Sequence, residues 1–255
     1  MARSNDRRRF LMRALAGTAS LALAGCDRLS RTEWFPRLLG VGERLSEGAH
    51  HLVTTRTSMA QEFSEADLSP YFRSNGTANP EDAQYRASAA QGFADYRLAV
   101  DGLVERPAHF SLAELRALPS RTQITRHDCV EGWSAIGKWT GVPLSVLLER
   151  VSTMPQARYV VFHCADPMDE RGTRYYESID MEDAHHPQTI LAYGLNDAPL
   201  PIANGAPIRV RIERQLGYKM AKYITRIELV ESLHPIGKGK GGYWEDLGYE
   251  WYAGI

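Results

Sequence analysis

Apolar and polar positions alternate along several short stretches of this chain, which predicts β-strands. Residues 96–100 alternate with period two and run into Asp101-Gly102, a pair typical of turns. Residues 122–126 predict a second strand, and residues 158–164, rich in valine and aromatic side chains, predict a third. Further strands are predicted nearer the C-terminus, at 189–193, 208–213 and 223–230.

Helical spacing predicts three short helices between these strands. Ser111 and Glu114 form a capping box, so a helix is expected to begin there. Residues 143–151 place a proline in a first helical turn and leucines at helical spacing after it. A third helix is predicted over 180–185. Strands and short helices that mix without a regular βαβ period indicate an α+β fold with mixed sheets.

Residues 1–26 have the composition of an export signal. The run Arg7-Arg8-Arg9-Phe10-Leu11 matches the twin-arginine pattern, which implies the Tat export machinery as a partner. A weakly apolar stretch ends in Leu23-Ala24-Gly25-Cys26, a lipoprotein-like cleavage site at which Cys26 becomes a lipid-modified first residue. The alternative is a general secretory signal whose cleavage region happens to contain a cysteine. Either signal predicts a protein in the periplasm or on the outer face of the cytoplasmic membrane.

The rest of the chain is expected to form a tether and one domain. Residues 27–66 are polar and Arg-rich without clear periodicity, which predicts a tether or arm, and residues 67–255 are expected to form the domain. The 255 residues are 44% hydrophobic and 24% charged, which is ordinary for a globular protein. A net charge of -1 lacks the basic excess of nucleic-acid-binding proteins. No run of about 20 apolar residues follows the N-terminal segment, so the domain lacks a membrane-spanning pattern.

Cys129 is the most informative residue of the domain. It lies in the octapeptide Arg126-His127-Asp128-Cys129-Val130-Glu131-Gly132-Trp133, between ionisable residues and a Gly-Trp pair. Arg126 and His127 are expected to lower the pKa of its thiol and favour the thiolate, which attacks electrophiles and binds soft metals. A packing cysteine at a strand end fits the octapeptide equally well.

Two functions without a metal remain open on these residues. A metal-free thiol enzyme would use Cys129 as the nucleophile, with His127, two positions earlier on the same strand face, as the base. A non-catalytic exported binding module would instead hold a Cys129–Cys164 disulfide, which a compartment outside the cytoplasm permits.

Five segments together resemble the sulfite oxidase family of molybdenum enzymes. They follow the family's order and spacing across residues 70–232, at 127–133, 139–144, 186–189, 204–209 and 217–222. The likeness is greatest to the bacterial exported, single-domain branch, which includes periplasmic methionine-sulfoxide reductases. The resemblance implies a sulfite-oxidase-type molybdopterin-binding fold without the C-terminal dimerisation domain of other branches.

The resemblance also implies a chemistry. In this family molybdenum is held by two dithiolene sulfurs of one pterin, by oxo or hydroxo ligands and by one protein thiolate. Cys129 matches that thiolate, as metal ligand and catalytic residue, with one Mo-molybdopterin per chain. The implied reaction is oxygen-atom transfer on a small sulfur-containing or related substrate, such as sulfite or a sulfoxide. The implied protein is a monomer that exchanges electrons with a separate membrane cytochrome or quinone-linked protein.

The same resemblance assigns residues to the cofactor. Arg209 and the loop from Lys219 to Lys222 are expected to supply positive charge and main-chain donors to its phosphate-bearing tail. The 72–76 loop matches the family pattern loosely, and Cys164 stands where relatives carry Thr or Asp. The expected cofactor-binding residues are Phe72, Arg73, Ser74, Asn75, Gly76, Cys164, Asn204, Arg209, Met220, Ala221 and Lys222.

Overall fold

A computed structural model describes residue 32, residues 34–55 and residues 58–255 of the chain. The chain divides into two compact units, Met1–Thr54 and Thr55–Ile255. The expected export signal, including Cys26, lies outside the described residues and stays a prediction.

The described part of the first unit contains helix α1 (Trp34–Val53), in a stretch where the sequence predicted no regular element. Trp34, Leu38, Val41 and Leu45 recur every three or four residues, which aligns them on one helix face. All four side chains are exposed. This spacing was the missed signal, diluted by glycines that lower helix propensity. In the described part of the chain, no helix is long and apolar enough to cross a membrane.

Two sheets build the second unit. Its described strands are β1 (Arg97–Gly102), β2 (Ala108–Ser111), β3 (Arg121–Cys129), β4 (Trp133–Pro143), β5 (Tyr159–Pro167), β6 (Arg174–Asp180), β7 (Ile190–Leu195), β8 (Ala198–Pro199), β9 (Arg209–Arg211) and β10 (Ile224–Val230). The first sheet has the order β2-β1-β10-β5-β6, with β1 and β10 parallel and the other neighbours antiparallel. The second has the order β3-β4-β7-β8, and β9 pairs with β7.

Short helices lie before β1 and between later strands, so the predicted α+β class with mixed sheets is confirmed. They are α2 (Ala83–Ala90), α3 (Leu112–Ala117), α4 (Leu144–Val151) and α5 (Met181–His185). The predicted capping box starts α3: the Glu114 amide donates to Ser111 Oγ at 3.2 Å, and the Ser111 amide donates to the Glu114 carboxylate at 2.7 Å. The main hydrophobic core joins residues of both sheets and buries the apolar face of α4.

Strand β4 was not predicted, yet it forms the hairpin that positions Cys129. Its side chains alternate between buried and partly exposed, but glycines within it weaken the sequence pattern. β3 runs three residues further than predicted, and Cys129 pairs with Trp133 across the hairpin. The turn depends on Gly132, whose φ of +83° is open to glycine without steric cost. The thiol of Cys129 therefore sits at the tip of a rigid hairpin.

Candidate active site

Cys129 opens into a cavity of about 250 Å³. The walls come from the 75–77 loop, the β3–β4 turn, the end of β5, the 217–222 segment and the C-terminal stretch. The lining residues are Asn75, Gly76, Thr77, Cys129, Val130, Glu131, Asp166, Met168, Tyr175, Gly217, Tyr218, Met220, Lys222, Trp244 and Tyr249. Segments far apart in sequence thus meet around one thiol, and four of the eleven expected cofactor residues, apart from Cys129, line this cavity.

The expected electrostatic control of Cys129 was wrong in its source and its sign. Burial raises the pKa of the Cys129 thiol; Arg73 and Arg209 act in the opposite direction but do not overcome it. Arg126 is exposed and forms an ion pair with Asp128 at 2.9 Å. The thiol of Cys129 is therefore protonated at neutral pH, and a metal that binds the sulfur has to displace this proton.

His127 is a buried neutral imidazole. Burial and the Arg211 guanidinium hold its pKa well below the usual value. Arg211 donates to His127 Nδ1 at 2.9 Å, so the proton resides on Nε2, next to Gly217. His127 and Cys129 do share a strand face, but this imidazole is engaged by Arg211 and Met220 rather than by the thiol. The metal-free thiol enzyme has no support from this geometry.

Arg209 carries a buried positive charge beside the cavity. Its side chain is fully buried, and it donates to the main-chain oxygens of Asn204 and Met220, both at 3.1 Å. Burial and the neighbouring Arg211 lower the pKa of Arg209 to about 9, so the guanidinium keeps its charge at neutral pH. Arg211, by contrast, is paired with the buried Glu213 at 2.6 Å. Among the described residues, Arg209 is therefore left without a carboxylate partner.

Lys222 adds a second such cation. Its ammonium donates to the main-chain oxygens of Asn75, Thr77 and Ala203, which come from two separate segments. Burial, with a smaller contribution from Arg209, lowers the pKa of Lys222 to about 7. Three carbonyls orient the ammonium but do not neutralise it. The pocket consequently favours an anion near Lys222 and Arg209.

Unpaired polar atoms mark the same region. Within the described chain, buried atoms without a hydrogen-bond partner include Asn75 Oδ1, His127 Nε2, Asp166 Oδ1, Asn204 Nδ2 and Arg209 Nε. Buried polar groups normally find partners, so a cluster of unsatisfied ones indicates a polar ligand. Among the described residues no group of three or more His, Cys, Asp or Glu could hold a metal ion. A metal at Cys129 would therefore need a ligand set supplied by another molecule, as a dithiolene cofactor does.

In the 72–76 loop, which is expected to contact the cofactor, some residues line the cavity and others hold the loop in place. Asn75 and Gly76 line the cavity, and the Arg73 guanidinium lies 5.6 Å above the Trp133 ring. Ser74 Oγ donates to the Ala203 carbonyl at 2.5 Å, which fastens the loop. The remaining member, Phe72, packs edge-on against Trp139 at 5.0 Å, behind the cavity.

The other expected positions divide in the same way. Met220 and Lys222 line the cavity, whereas Asn204 and Ala221 are buried next to it. Cys164 is 1% exposed and belongs to the hydrophobic core, outside the cavity lining. Cys129 and Cys164 are both free thiols, so the structure does not contain the disulfide on which the binding-module alternative depends.

The expected role of Lys219 was wrong. Its ammonium is fully buried in ion pairs with Glu177 and with Glu245, the latter at 2.7 Å. Its charge is therefore neutralised inside the protein and is not available to a cofactor phosphate. The spacing of the 217–222 motif could not reveal this, because both carboxylates come from other segments.

The cavity also contains residues that the expected site omitted. Trp244 and Tyr249 line it from the C-terminal stretch, and Thr77, Asp166 and Met168 complete other walls. The aromatic-rich composition of residues 241–255 was the available signal for the first two. Nothing in the local sequence distinguishes Thr77 or Met168 from surface loop residues.

A comparison with protein families matches residues 86–235 to the oxidoreductase molybdopterin binding domain. The chain therefore belongs to this family of molybdopterin-dependent oxidoreductases, and the resemblance to the sulfite oxidase family is confirmed.

Individual relatives carry more specific names. A protein of Azospira oryzae, provisionally named protein-methionine-sulfoxide reductase subunit, is 47% identical over 161 residues, covering 63% of this chain and 56% of that protein. The protein-methionine-sulfoxide reductase catalytic subunit MsrP of Xanthomonas axonopodis pv. citri is 34% identical over 258 residues, covering 95% of this chain and 73% of that protein. The chain thus spans between about half and three quarters of these relatives. The sulfane dehydrogenase SoxCD of Paracoccus pantotrophus matches 55% of this chain and 39% of its own, at 25% identity and a TM-score of 0.49.

Proposed function

We propose that this chain is the catalytic part of an exported mononuclear molybdenum oxidoreductase that performs oxygen-atom transfer on a small sulfur-containing substrate. The names of its relatives support a sulfoxide as the oxygen donor. The proposal includes one Mo-molybdopterin per chain, bound in the cavity at Cys129.

One observation carries the proposal: in the described part of the chain, a single cavity thiol lies near buried cations that form no ion pair with a carboxylate. Cys129 offers a soft metal one thiolate, while Arg209 and Lys222 attract the anionic part of a cofactor. The unpaired atoms of Asn75 and Asn204 offer further hydrogen bonds. These residues suit a molecule that brings sulfur ligands and a phosphate together.

When bound, the cofactor supplies a two-electron redox couple that can accept an oxygen atom. Cys129 must lose its proton to hold the metal, and the thiolate is then stabilised by the metal charge. Arg209 and Lys222 would offset the phosphate charge, and the β3–β4 hairpin would hold the sulfur of Cys129 in the cavity wall. Phe72, Arg73, Ser74, Gly76, Met220 and Ala221 complete the proposed cofactor site, with Cys164 packed behind it.

The overall reaction is a two-electron reduction of the sulfoxide. The sulfur–oxygen bond of the sulfoxide breaks, the sulfur keeps its electron pair as a sulfide, and the oxygen leaves as water. Two electrons come from a separate membrane cytochrome or quinone-linked protein, and two protons come from solvent through the cavity. Asp166 lines the cavity, and burial raises its pKa to about 6, so its carboxyl can hold a proton near the substrate in mildly acidic solution.

The proposal extends to export and assembly. Residues 1–26 would direct the chain through the Tat machinery to the periplasm or to the outer face of the cytoplasmic membrane. Cys26 would carry a lipid, and the domain would act as a monomer beside its electron partner. Mass spectrometry of the protein recovered from membranes tests the lipid directly, since a mature chain beginning after Cys26 contradicts it.

Metal and pterin analysis of the purified protein tests the central claim, together with turnover of methionine sulfoxide and of sulfite. We expect about one molybdenum and one pterin per chain and reduction of the sulfoxide with a reduced viologen dye. Cys129→Ala should lose activity and most of its molybdenum, because the one protein bond to the metal is gone. Cys164→Ala is the matched control, a buried cysteine outside the cavity that should retain both. Full activity and metal content in Cys129→Ala would overturn the proposal.

A further inference from the structure

The C-terminal stretch 241–255 supplies a wall of the cavity although it lies outside the family match at 86–235. We propose that Trp244 and Tyr249 form a substrate-selecting wall that packs against the carbon substituents of the sulfoxide; this rests on the proposed function. The two rings would make these residues determinants of specificity for the proposed reaction.

The rings are arranged as one continuous aromatic surface. Trp244 and Tyr249 are stacked, with centroids 5.5 Å apart and an interplanar angle of 30°. Tyr249 meets the Tyr218 ring edge-on at 5.3 Å. All three residues line the cavity that contains Cys129, and Tyr249 remains 43% exposed. A large aromatic side chain left that accessible at a cavity mouth has an apolar face available to a ligand.

The wall is held firmly by the rest of the domain. Glu245, next to Trp244, is fully buried and accepts from Lys219 Nζ at 2.7 Å. Tyr218 Oη donates to the Glu250 carbonyl at 2.7 Å, and Trp251 Nε1 donates to Ser178 Oγ at 2.9 Å. A buried ion pair and these hydrogen bonds fix the rings before a ligand arrives. The wall can therefore contribute binding free energy without a large ordering cost.

A glycine brings the backbone of the stretch close to the buried carboxylates. A Cβ added at Gly242 would lie 2.0 Å from Glu245 Oε2 and 2.9 Å from Glu177 Oε1. The glycine thus lets the chain pass directly over the buried carboxylates that anchor it.

The charges around the cavity favour a neutral ligand at this wall. Glu131 and Asp166 line the cavity, whereas Lys222 points its ammonium at main-chain carbonyls and is 6% exposed. Lys222 and Arg209 are assigned to the phosphate of the cofactor, so an anionic substrate such as sulfite would meet the carboxylates of Glu131 and Asp166 in the same cavity without a cation of its own among the lining residues. A sulfoxide carries no net charge, and its sulfur and alkyl or aryl groups gain from contact with aromatic faces.

Substrate size provides the test, with holoenzyme and reduced viologen dye as electron donor. Dimethyl sulfoxide offers only methyl groups, whereas methyl phenyl sulfoxide offers a ring to the wall. For Trp244→Ala and Tyr249→Ala we expect kcat/KM on methyl phenyl sulfoxide to fall by about tenfold, mostly through KM, and on dimethyl sulfoxide by less than about twofold. Trp244→Phe and Tyr249→Phe should recover most of the loss because each retains an aromatic face. Trp34→Leu, which changes an exposed aromatic residue of helix α1 outside the cavity lining, is the control and should match the wild type.

Equal losses of kcat/KM on both sulfoxides would contradict the selective role of Trp244 and Tyr249, since they would indicate a general disturbance of the site. A binding measurement separates this outcome from failure of the proposed reaction. Methyl phenyl sulfide requires no turnover, and its dissociation constant should rise by about tenfold in both alanine variants. If the alanine variants bind the sulfide as tightly as the wild type, the two rings do not contact the ligand, and this conclusion holds whether or not the enzyme turns over a sulfoxide. Binding that depends on Trp244 and Tyr249, without reduction of any sulfoxide by the wild type, refutes the proposed function and supports the wall.

Discussion

The depressed pKa of Lys222 makes the stability of the cofactor-free protein depend on pH. The pKa is about 7 in the folded state against 10.5 for an unperturbed lysine, which corresponds to about 5 kcal/mol when the ammonium is fully charged. Because the folded-state pKa is the lower one, the full cost is present below pH 7. It declines as pH rises from 7 towards 10.5, by about 1.4 kcal/mol for each pH unit. Raising the pH through this window should therefore stabilise the cofactor-free fold.

Lys222→Met isolates this contribution, since methionine carries no charge at any pH. Urea unfolding followed by circular dichroism at pH 7.5 and 9.5 gives the free energy of unfolding of both proteins. Relative to Lys222→Met, the wild type should gain about 2–3 kcal/mol between these pH values. Lys138→Met is the control: the Glu65 and Asp197 carboxylates raise the pKa of Lys138, so its removal should not change the profile in this window. Parallel pH profiles of the wild type and Lys222→Met would refute the reasoning. With the anionic cofactor bound, the difference should shrink because the ammonium then has a partner.

Three further substitutions test the site and its supports. Arg209→Met should lower the retained molybdenum and pterin by more than about tenfold, as measured on purified protein, because a charge-assisted contact worth about 2–5 kcal/mol is lost; an unchanged cofactor content argues against the proposed anion site. Gly217→Ala puts a Cβ 2.4 Å from the His127 ring and should cost about 1–3 kcal/mol in urea unfolding, whereas Gly194→Ala, with its nearest contact at 3.4 Å, should cost less; similar losses would contradict the packing argument. Lys219→Met leaves the buried carboxylates of Glu177 and Glu245 without their shared cation and should lower the free energy of unfolding by about 3–5 kcal/mol, so wild-type stability in this variant would show that the ion pair is not an anchor.

The elements visible in sequence are those whose pattern is purely local. The period-two stretch at 96–100 became β1, and the capping box at Ser111 started α3. β4 was hidden because its glycines have no side chain to mark an alternating position. Helix α1 was missed because its regularly spaced apolar residues are few and lie in an otherwise polar stretch.

In the site, too, the features set by neighbouring residues were predictable, whereas those set by contacts between distant segments were not. The position of Cys129 at a strand end was predictable, since the strand and the Gly-Trp turn are adjacent in sequence. The pKa direction of its thiol was not, because burial depends on segments that arrive from elsewhere in the chain. The fate of Lys219 was equally inaccessible: whether a lysine meets a phosphate or two carboxylates is decided by the fold. Family motifs conveyed which segments meet, but not which side chains within them point at the cavity.

The sequence order of the cavity walls has a consequence for biosynthesis. Cys129 is synthesised well before Trp244 and Tyr249, so a nascent chain has the thiol before it has the aromatic wall. The complete cavity therefore cannot form until residue 249 has left the ribosome. A chain cut before Trp244 would keep Cys129 but lack one wall of the pocket, so the order of the walls along the chain separates the appearance of the proposed metal ligand from the completion of the pocket around it.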